Sequence, residues 1–409
     1  MDQHPQAKFI IDTLVKAGFI AYFAGGWVRD FLLGHPSEDI DIATNATPEI
    51  IQALFPKTVP IGIAFGIVLV IVEGHEYEVA SFRNDFDYHD GRRPSRVEFT
   101  TAEEDAKRRD FTINGMFYDP ISKTVLDYVN GKEDLKLKII RAIGNPHERI
   151  KEDRLRMIRA VRLGCRFHFQ IDPTTEQAIR AHAAELFPSV AIERVMQELE
   201  KAHKSRKLRQ VLLQLHDFGL LPSIFPTLKG VSLSEIKERV EPIEHFPHLA
   251  PLIAFLLELF PDLHLQQQID LCKQLKLSNT DIRFIPVLDQ AKELAQGKRD
   301  IELTEWAYFY SNPSSALSLQ VIAAHLDESK RAHFFEEHKN RIALLQPDID
   351  RIVEHNPIIQ AKDLLKEGIL PSKAMGLLLK EAERIAINQR LTDQNLILEQ
   401  LKKRPEWQK

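Results

Sequence analysis

Asp39 and Asp41 stand two residues apart in Glu38-Asp39-Ile40-Asp41-Ile42, where acids alternate with isoleucines. On a β-strand, residues two apart point to the same face. Two carboxylates so placed can share divalent cations, and two metal ions roughly 3.5–4 Å apart clamp the attacking and leaving oxygens of an in-line phosphoryl displacement. Mg2+ suits such a site, with few carboxylates and substrate phosphates completing its shell. The same spacing also describes a solvated strand face, or acids capping a nearby helix. The preceding Ala24-Gly25-Gly26-Trp27-Val28-Arg29-Asp30 adds weight to the first reading. Glycine lets the backbone approach a phosphate, and a helix start offers unbonded N–H groups. Arg29 falls in the first turn of the following helix, where the dipole disfavours a cation, so it is expected to face an anion. Glycine turn, arginine and acid pair together point to phosphoryl transfer. No G-x-x-x-x-G-K-[ST] loop occurs, which excludes a Walker A site.

These side chains need a scaffold, and the first third of the chain supplies alternating elements. Phe9–Lys16 has helical spacing, Phe19–Ala24 is a short apolar strand stopped by Gly25-Gly26, and Trp27–Leu33 is helical again. Gly66–Glu73 and Tyr77–Phe82 read as strands around a turn at Gly74-His75-Glu76, and Asn84–Arg96 reads as a mobile polar loop. From about Leu135 the strand signals almost vanish. Arg149–Phe167, Thr174–Leu186, Ile192–His203, Arg206–Phe218, Leu252–Leu259, Gln266–Leu275, Ile282–Ala295 and Ser372–Arg390 all read as helices. Pro286 suggests that the helix around it starts late. The fold expected is α+β: a small head of mixed sheet and helices, then an all-helical remainder.

Composition bounds the class. The 409 residues correspond to about two to four domains. Net charge is −5, which argues against a uniformly basic coat but not against a local basic face. Residues 138–166 hold nine basic and three acidic side chains. A second basic stretch, Lys201, Lys204, Arg206, Lys207 and Arg209, reads equally well as a phosphate-binding face or as solvated helix surface. The two cysteines, Cys165 and Cys272, form no metal or redox motif. No signal peptide is read at the N-terminus, and no apolar run reaches the roughly 20 residues that span a bilayer. A cytoplasmic protein with no membrane partner is expected. His182 with His216-Asp217 superficially suggests a metal-dependent hydrolase, but the further acid such a site needs is not identifiable.

The run Gly25-Gly26-Trp27-Val28-Arg29-Asp30 with Asp39-x-Asp41 resembles the head of class II tRNA CCA-adding enzymes and bacterial poly(A) polymerases. Four more segments follow in that family's order: Glu78-Val79-Ala80-Ser81-Phe82-Arg83, Arg108-Arg109-Asp110-Phe111-Thr112-Ile113-Asn114, Glu152-Asp153-Arg154-Leu155-Arg156, and Ala191-Ile192-Glu193-Arg194 through Lys201. The resemblance covers the first half by motif and the second only as a helical body. It implies a nucleotidyltransferase head at 1–135, a base-reading helical neck at 136–222, a helical body at 223–300 and a tRNA-binding tail at 301–409. It implies CTP and ATP as substrates, tRNA as partner and Mg2+ as cofactor, with the RNA 3′-hydroxyl attacking the α-phosphate. Asp39 and Asp41 would hold the metal. Glu78 is either a third acidic group or a partner of Arg83 or Arg29. Gly25, Gly26, Arg29, Arg109, Asp110, Asn114, Arg159 and Arg162 would receive the nucleotide. The loop Asp85–Pro94 resembles the family's switching loop and favours CCA or A-only addition over CC-only. Gly115 stands where relatives usually carry Ala, and Gly66-Ile67 where many carry Gly-Thr. The absence of an R-R-F run after Asp41 argues for tRNA over poly(A) tails. An A-only enzyme, a poly(A) polymerase and a catalytically silent RNA-binding protein are the competing readings. Oligomeric state is not legible.

Asp153 and Arg156 would select the base. Three apart on a helix, they are expected to share a face. Arg offers only donors and ionised Asp only acceptors. Cytosine and adenine each place an amino donor beside a ring-nitrogen acceptor, which suits this pair. Uracil and guanine put a carbonyl where Asp needs a donor. A plain surface salt bridge is the bland alternative.

Overall fold

The computed structural model describes residues 4–35, 37, 39–88, 94–296 and 300–408. The chain forms two compact units, Met1–Ile236 and Lys237–Lys409. The expected divisions at 135/136 and 222/223 fall inside the first unit, and that at 300/301 inside the second.

The first unit opens with helix α1 (Pro5–Lys16), strand β1 (Ala21–Ala24), helix α2 (Gly26–Leu32), strand β2 (Asp41–Thr44) and helix α3 (Pro48–Leu54). Strands β3 (Thr58–Gly62), β4 (Ile67–Val72) and β5 (His75–Ser81) follow, then β6 (Arg83–Tyr88) and β7 (Pro94–Phe99). Helix α4 (Ala102–Lys107) leads through a short 3-10 turn at Thr112–Asn114 to β8 (Met116–Asp119) and β9 (Thr124–Asp127). Seven strands form one mixed sheet in the order β3-β4-β5-β2-β1-β8-β9. β2 runs parallel to β5 and antiparallel to β1, so it lies at the sheet's centre. Ile42, Val79 and Phe117 are fully buried within it. The strand itself begins only at Asp41, yet the alternation read from the sequence persists through the lead-in. Asp39 and Asp41 are exposed while Ile40 and Ile42 are buried.

The segment Asn84–Arg96 corrects the loop expectation. β6 and β7 pair antiparallel from Arg83↔Phe99 to Tyr88↔Pro94 and make a separate two-stranded sheet. Its polar side chains hid a strand that pairs only with its own partner. The tip at residues 89–93, the centre of the expected switching loop, lies outside the described residues.

After β9 come helix α5 (Gly131–Leu137), strand β10 (Ile139–Ile140), helices α6 (Pro146–Glu152) and α7 (Leu155–Phe167), strand β11 (Gln170–Ile171), and helices α8 (Pro173–His182), α9 (Ile192–Lys204) and α10 (Leu208–Asp217). The single helix expected over Arg149–Phe167 is therefore two. Asp153 breaks it, with φ −148° and ψ 103°, and its Oδ1 accepts the Leu155 N–H at 3.0 Å. A carboxylate that caps the next helix competes with continuing the previous one.

The second unit is helical among its described residues. Clusters around Trp306, Phe309 and Leu345, and around Leu378, Ile385 and Ile397, form its core. The helix expected from Ile282 begins earlier, at Asn279. Ser278 caps it reciprocally: its Oγ accepts the Asp281 N–H at 3.2 Å, and the Asp281 carboxylate accepts the Ser278 N–H at 3.1 Å. No helix among the described residues is long and apolar enough to cross a membrane.

Two glycines show how tightly the Asn114 turn is held. A Cβ on Gly115 would lie 2.7 Å from Val129 Cγ2, so the alanine usual in relatives would have to displace that valine. A Cβ on Gly131 would lie 2.3 Å from the Thr112 carbonyl oxygen and 2.9 Å from Met116 Cγ. Gly131→Ala is expected to cost about 1–3 kcal/mol by overpacking against backbone, read as a lowered urea midpoint with an unchanged slope.

Candidate active site

The site is built on the sheet's central strand and the helices that follow. A cavity of about 620 Å³ is lined by Gly25, Gly26 and Arg29 from the first turn, Asp39 and Asp41 from β2 and its lead-in, and Arg108 to Asp110 with Asn114. Asp153, Arg156, Arg159, Arg162, Leu163 and Arg166 line it from α7 and its lead-in, and Lys201 from α9.

On the strand side, Gly25 sits between opposite charges. A Cβ there would lie 3.1 Å from Arg109 Nη1 and 3.4 Å from Asp41 Oδ2, and its φ of +66° favours glycine independently. Arg109 is held from behind. Its Nε and Nη2 donate to Asp105 Oδ2 at 3.1 and 3.0 Å, and its guanidinium lies 4.9 Å from the centre of the Phe117 ring. Asp105 also takes Arg108 Nε on Oδ1 at 2.9 Å. Asp41 is pushed up to about 6. Loss of hydration is the largest cause, followed by the charges of Asp39 and Glu78, with Arg109 opposing. Burial, helped by the neighbouring carboxylates, thus makes Asp41 easier to protonate than an ordinary carboxyl. Glu78 acts on Asp41 through charge only and does not line the cavity. Among the described residues no cluster of three or more His, Cys, Asp or Glu could hold a metal ion. Among the described residues of the acid motif, Asp39 and Asp41 are the oxygen donors that line the cavity.

A chain of ion pairs closes the opposite wall. Asp110 Oδ1 accepts from Asn114 Nδ2 at 3.0 Å, and its Oδ2 accepts from Arg159 Nε and Nη2 at 2.9 and 2.6 Å. Burial alone would raise this carboxyl, but the Arg159 charge and the Asn114 amide hold it well below the usual range. Asn114 Oδ1 accepts from Arg29 Nη1 at 2.6 Å, and Arg29 Nε donates to Asp30 at 2.8 Å. On the helical side Glu198, 2% exposed, takes Arg162 Nε at 2.5 Å, Lys201 Nζ at 3.0 Å and Arg159 Nη1 at 3.6 Å. Burial pushes Glu198 up, and these three cations pull it below its ordinary value.

Asp153 and Arg156 both face the cavity, but not for the reason the spacing gave. Asp153 lies in the break between α6 and α7 rather than on one helix face with Arg156. Arg194 of α9 grips it with two bonds, Nη1 to Oδ1 at 3.1 Å and Nη2 to Oδ2 at 2.7 Å. Arg156 Nη1 donates to Glu152 Oε2 at 2.6 Å and to the Arg149 carbonyl at 2.7 Å. The two do not form the i,i+3 salt bridge of the bland reading. Each is anchored by a different partner, which leaves Arg156 Nε and Nη2 and part of the Asp153 carboxylate available.

Every site residue expected from the sequence except Glu78 meets at this one cavity. Arg108, Leu163, Arg166 and Lys201 also line it and are not among the expected site residues. Arg166 and Lys201 stood in the basic stretches, but charge counts do not say which cations share a wall. The basic excess of residues 138–166 is in fact largely compensated. Arg141 pairs with Asp134, Arg149 with Glu152, Arg154 with Glu185 and Arg166 with Asp30. His182 Nε2 bonds His147 Nδ1 at 3.1 Å, and Asp217 pairs with Arg180, so these two residues are engaged elsewhere than in a hydrolase centre.

Comparison with known proteins agrees with this geometry. A family model described as the Poly A polymerase head domain matches residues 21–141, and one described as the probable RNA and SrmB-binding site of polymerase A matches residues 168–231. The CCA-adding enzyme of Ligilactobacillus salivarius is 34% identical over 406 residues, covering 98% of this chain and 97% of the relative. That of Geobacillus stearothermophilus is 36% identical over 345 residues, covering 83% and 82%. A solved structure, the Bacillus stearothermophilus CCA-adding enzyme in complex with CTP, superposes with a TM-score of 0.78 at 28% identity over 97% of each chain. The chain belongs to the CCA-adding enzymes, the tRNA nucleotidyltransferases that share the poly(A) polymerase head.

Proposed function

We propose that this chain adds C and A, from CTP and ATP, to the 3′ end of tRNA without a template. The observation that carries the reading is the meeting of two unlike parts in one cavity: the acid pair Asp39 and Asp41 on the strand side, and the separately anchored Asp153 and Arg156 on the helical side. The first part suits nucleotidyl transfer, the second a choice of base.

Asp39 and Asp41 fit a divalent cation. They are hard oxygen donors whose mutual charge helps hold a proton on Asp41, a repulsion that a bound cation relieves. Mg2+ is the ion they suit, with water and substrate phosphates as the remaining ligands. Bound there, it would neutralise phosphate charge and acidify the attacking hydroxyl. Arg109, locked on Asp105, places a fixed positive charge beside the acid pair. Asp110 and Asn114 line the cavity, and Arg159 and Arg162 supply cations.

Base choice follows from what Asp153 and Arg156 have left to offer. Asp153 spends three acceptor positions on Leu155 and Arg194, so what remains can take the amino group of cytosine or adenine. The free Nε and Nη2 of Arg156 can meet the ring acceptors. Uracil or guanine would set a carbonyl against a carboxylate whose orientation Arg194 fixes. The competing CC-only, A-only and poly(A) readings are separated by the products themselves.

Purified protein is expected to extend tRNAs ending before, within and after CC to a complete CCA, read by sequencing the products. Asp41→Ala should abolish incorporation, with a loss on the order of 10³-fold or more. Asp153→Ala and Arg156→Ala should admit U and G; an unchanged C and A preference in both would sink the base-selection assignment. A pH test follows from Asp41. A carboxyl whose folded pKa lies above its unfolded value binds more protons folded than unfolded, so metal-free protein loses stability as pH rises through about 4 to 6. With EDTA present, Asp41→Asn should therefore melt higher than wild type at pH 7, with a smaller gap at pH 5.

A further inference from the structure

The cavity carries one more arrangement that neither the acid pair nor the base-facing pair uses. At the C-terminal end of α7 two guanidinium groups lie over the Phe167 ring. Arg29 Cζ is 4.5 Å from its centre and Arg166 Cζ 4.8 Å. Asp30, 4% exposed, divides its carboxylate between the same two arginines: Oδ1 accepts Arg29 Nε at 2.8 Å and Oδ2 accepts Arg166 Nη2 at 3.3 Å. One negative charge thus meets two positive ones, and the ring attracts both.

The two arginines are not equivalent. Arg29 is buried, and all three of its nitrogens are engaged, Nε and Nη2 by Asp30 and Nη1 by Asn114. Burial lowers its pKa, only partly offset by Asp30. It is spent as a frame. Arg166 has a side chain 39% exposed and lines the cavity, and among the described residues its Nε and Nη1 meet no protein acceptor. Its orientation is nevertheless set, by Asp30 on one nitrogen and by the Phe167 face. Its Nη2 gives one hydrogen to Asp30 and keeps a second, which beside a neighbouring open N–H makes a fork for two oxygens of a phosphate.

We propose that Arg166 binds a substrate phosphate group in this cavity, and that Asp30 and Phe167 are positioning residues that hold its guanidinium for that purpose. The sequence pointed to Arg29 as the arginine facing an anion. The geometry makes Asp30 that anion and passes the substrate contact to Arg166. The proposal rests on the nucleotidyl-transfer reading. The phosphate belongs either to the incoming triphosphate or to the RNA acceptor, and the chemistry of the fork is the same for both.

The test uses the full chain with Arg166→Gln, Arg166→Lys and Asp30→Asn. Dissociation constants are measured for CTP with Mg2+ and for tRNA separately, alongside KM and kcat for each. Arg166→Gln should weaken one of the two ligands roughly ten-fold or more, the scale of a charged hydrogen bond, with kcat changing less. Weakened CTP binding assigns the triphosphate; weakened tRNA binding alone assigns the RNA. Arg166→Lys should recover part of the loss, because charge returns without the fork. Asp30→Asn should weaken the same ligand as Arg166→Gln, by a smaller factor. Should Asp30→Asn fail to fold, the half-exposed Arg166 variants still decide. Binding of both ligands within about two-fold of wild type in Arg166→Gln overturns the proposal, as does a loss confined to kcat. Wild-type protein that binds CTP and tRNA yet transfers nothing would instead reject the nucleotidyl-transfer reading, and the binding constants would still judge Arg166.

Discussion

A carboxylate removed from water is tolerated only where charge and hydrogen bonds replace what water gave it, and Asp110 is the residue on which this molecule concentrates that requirement. Its two oxygens are taken by Arg159 from the helical side and by Asn114 from the sheet side. Through Asn114 the chain of bonds reaches Arg29 and Asp30, and through Arg159 it reaches Glu198, Arg162 and Lys201. Removing one member would leave a buried charge exposed to low dielectric, with costs on the order of 3–5 kcal/mol for such pairs. The strands and the helices are therefore tied by a network that is also one wall of the cavity. Stability and the shape of the site are the same set of interactions here.

The cavity divides its electrostatics by wall. On the strand side loss of hydration, and then the charges of Asp39 and Glu78, raise the pKa of the Asp41 carboxyl. Carboxylates on the helical side are over-paired, and Asp110 and Glu198 show it by depressed ones. A site that takes a cation on one side and a polyanion across the middle needs this asymmetry.

The sequence made much of this legible. Alternation around Asp39 and Asp41, the glycine pair and the ordered motifs located every cavity residue assigned from them except Glu78, which lies near Asp41 without lining the cavity. Long helices were legible too, because their apolar periodicity reports burial directly. The hairpin at Arg83–Phe99 was not, since a strand that pairs only with its neighbour needs no apolar alternation. The break at Asp153 was not, since a helix-compatible pattern runs through it, and what ends α6 is the competition of one carboxylate for the Leu155 N–H.

By itself the sequence determined the class of fold, the acid pair that faces the cavity and the kind of chemistry such a pair suits. Those follow from local spacing, which a strand or helix converts to geometry without further help. The tertiary structure alone decided which charges are spent and which are available. Arg29 and Arg166 are the same residue type, and nothing in their local sequence separates them. Burial against Asn114 and Asp30 saturates the first, while the cavity leaves the second open. Asp153 and Arg156 likewise owe their availability to Arg194 and Glu152, of which only Glu152 is near in sequence. Pairing of charges is a long-range property, set by which residues the fold brings within about 3 Å of one another, the reach of a hydrogen bond.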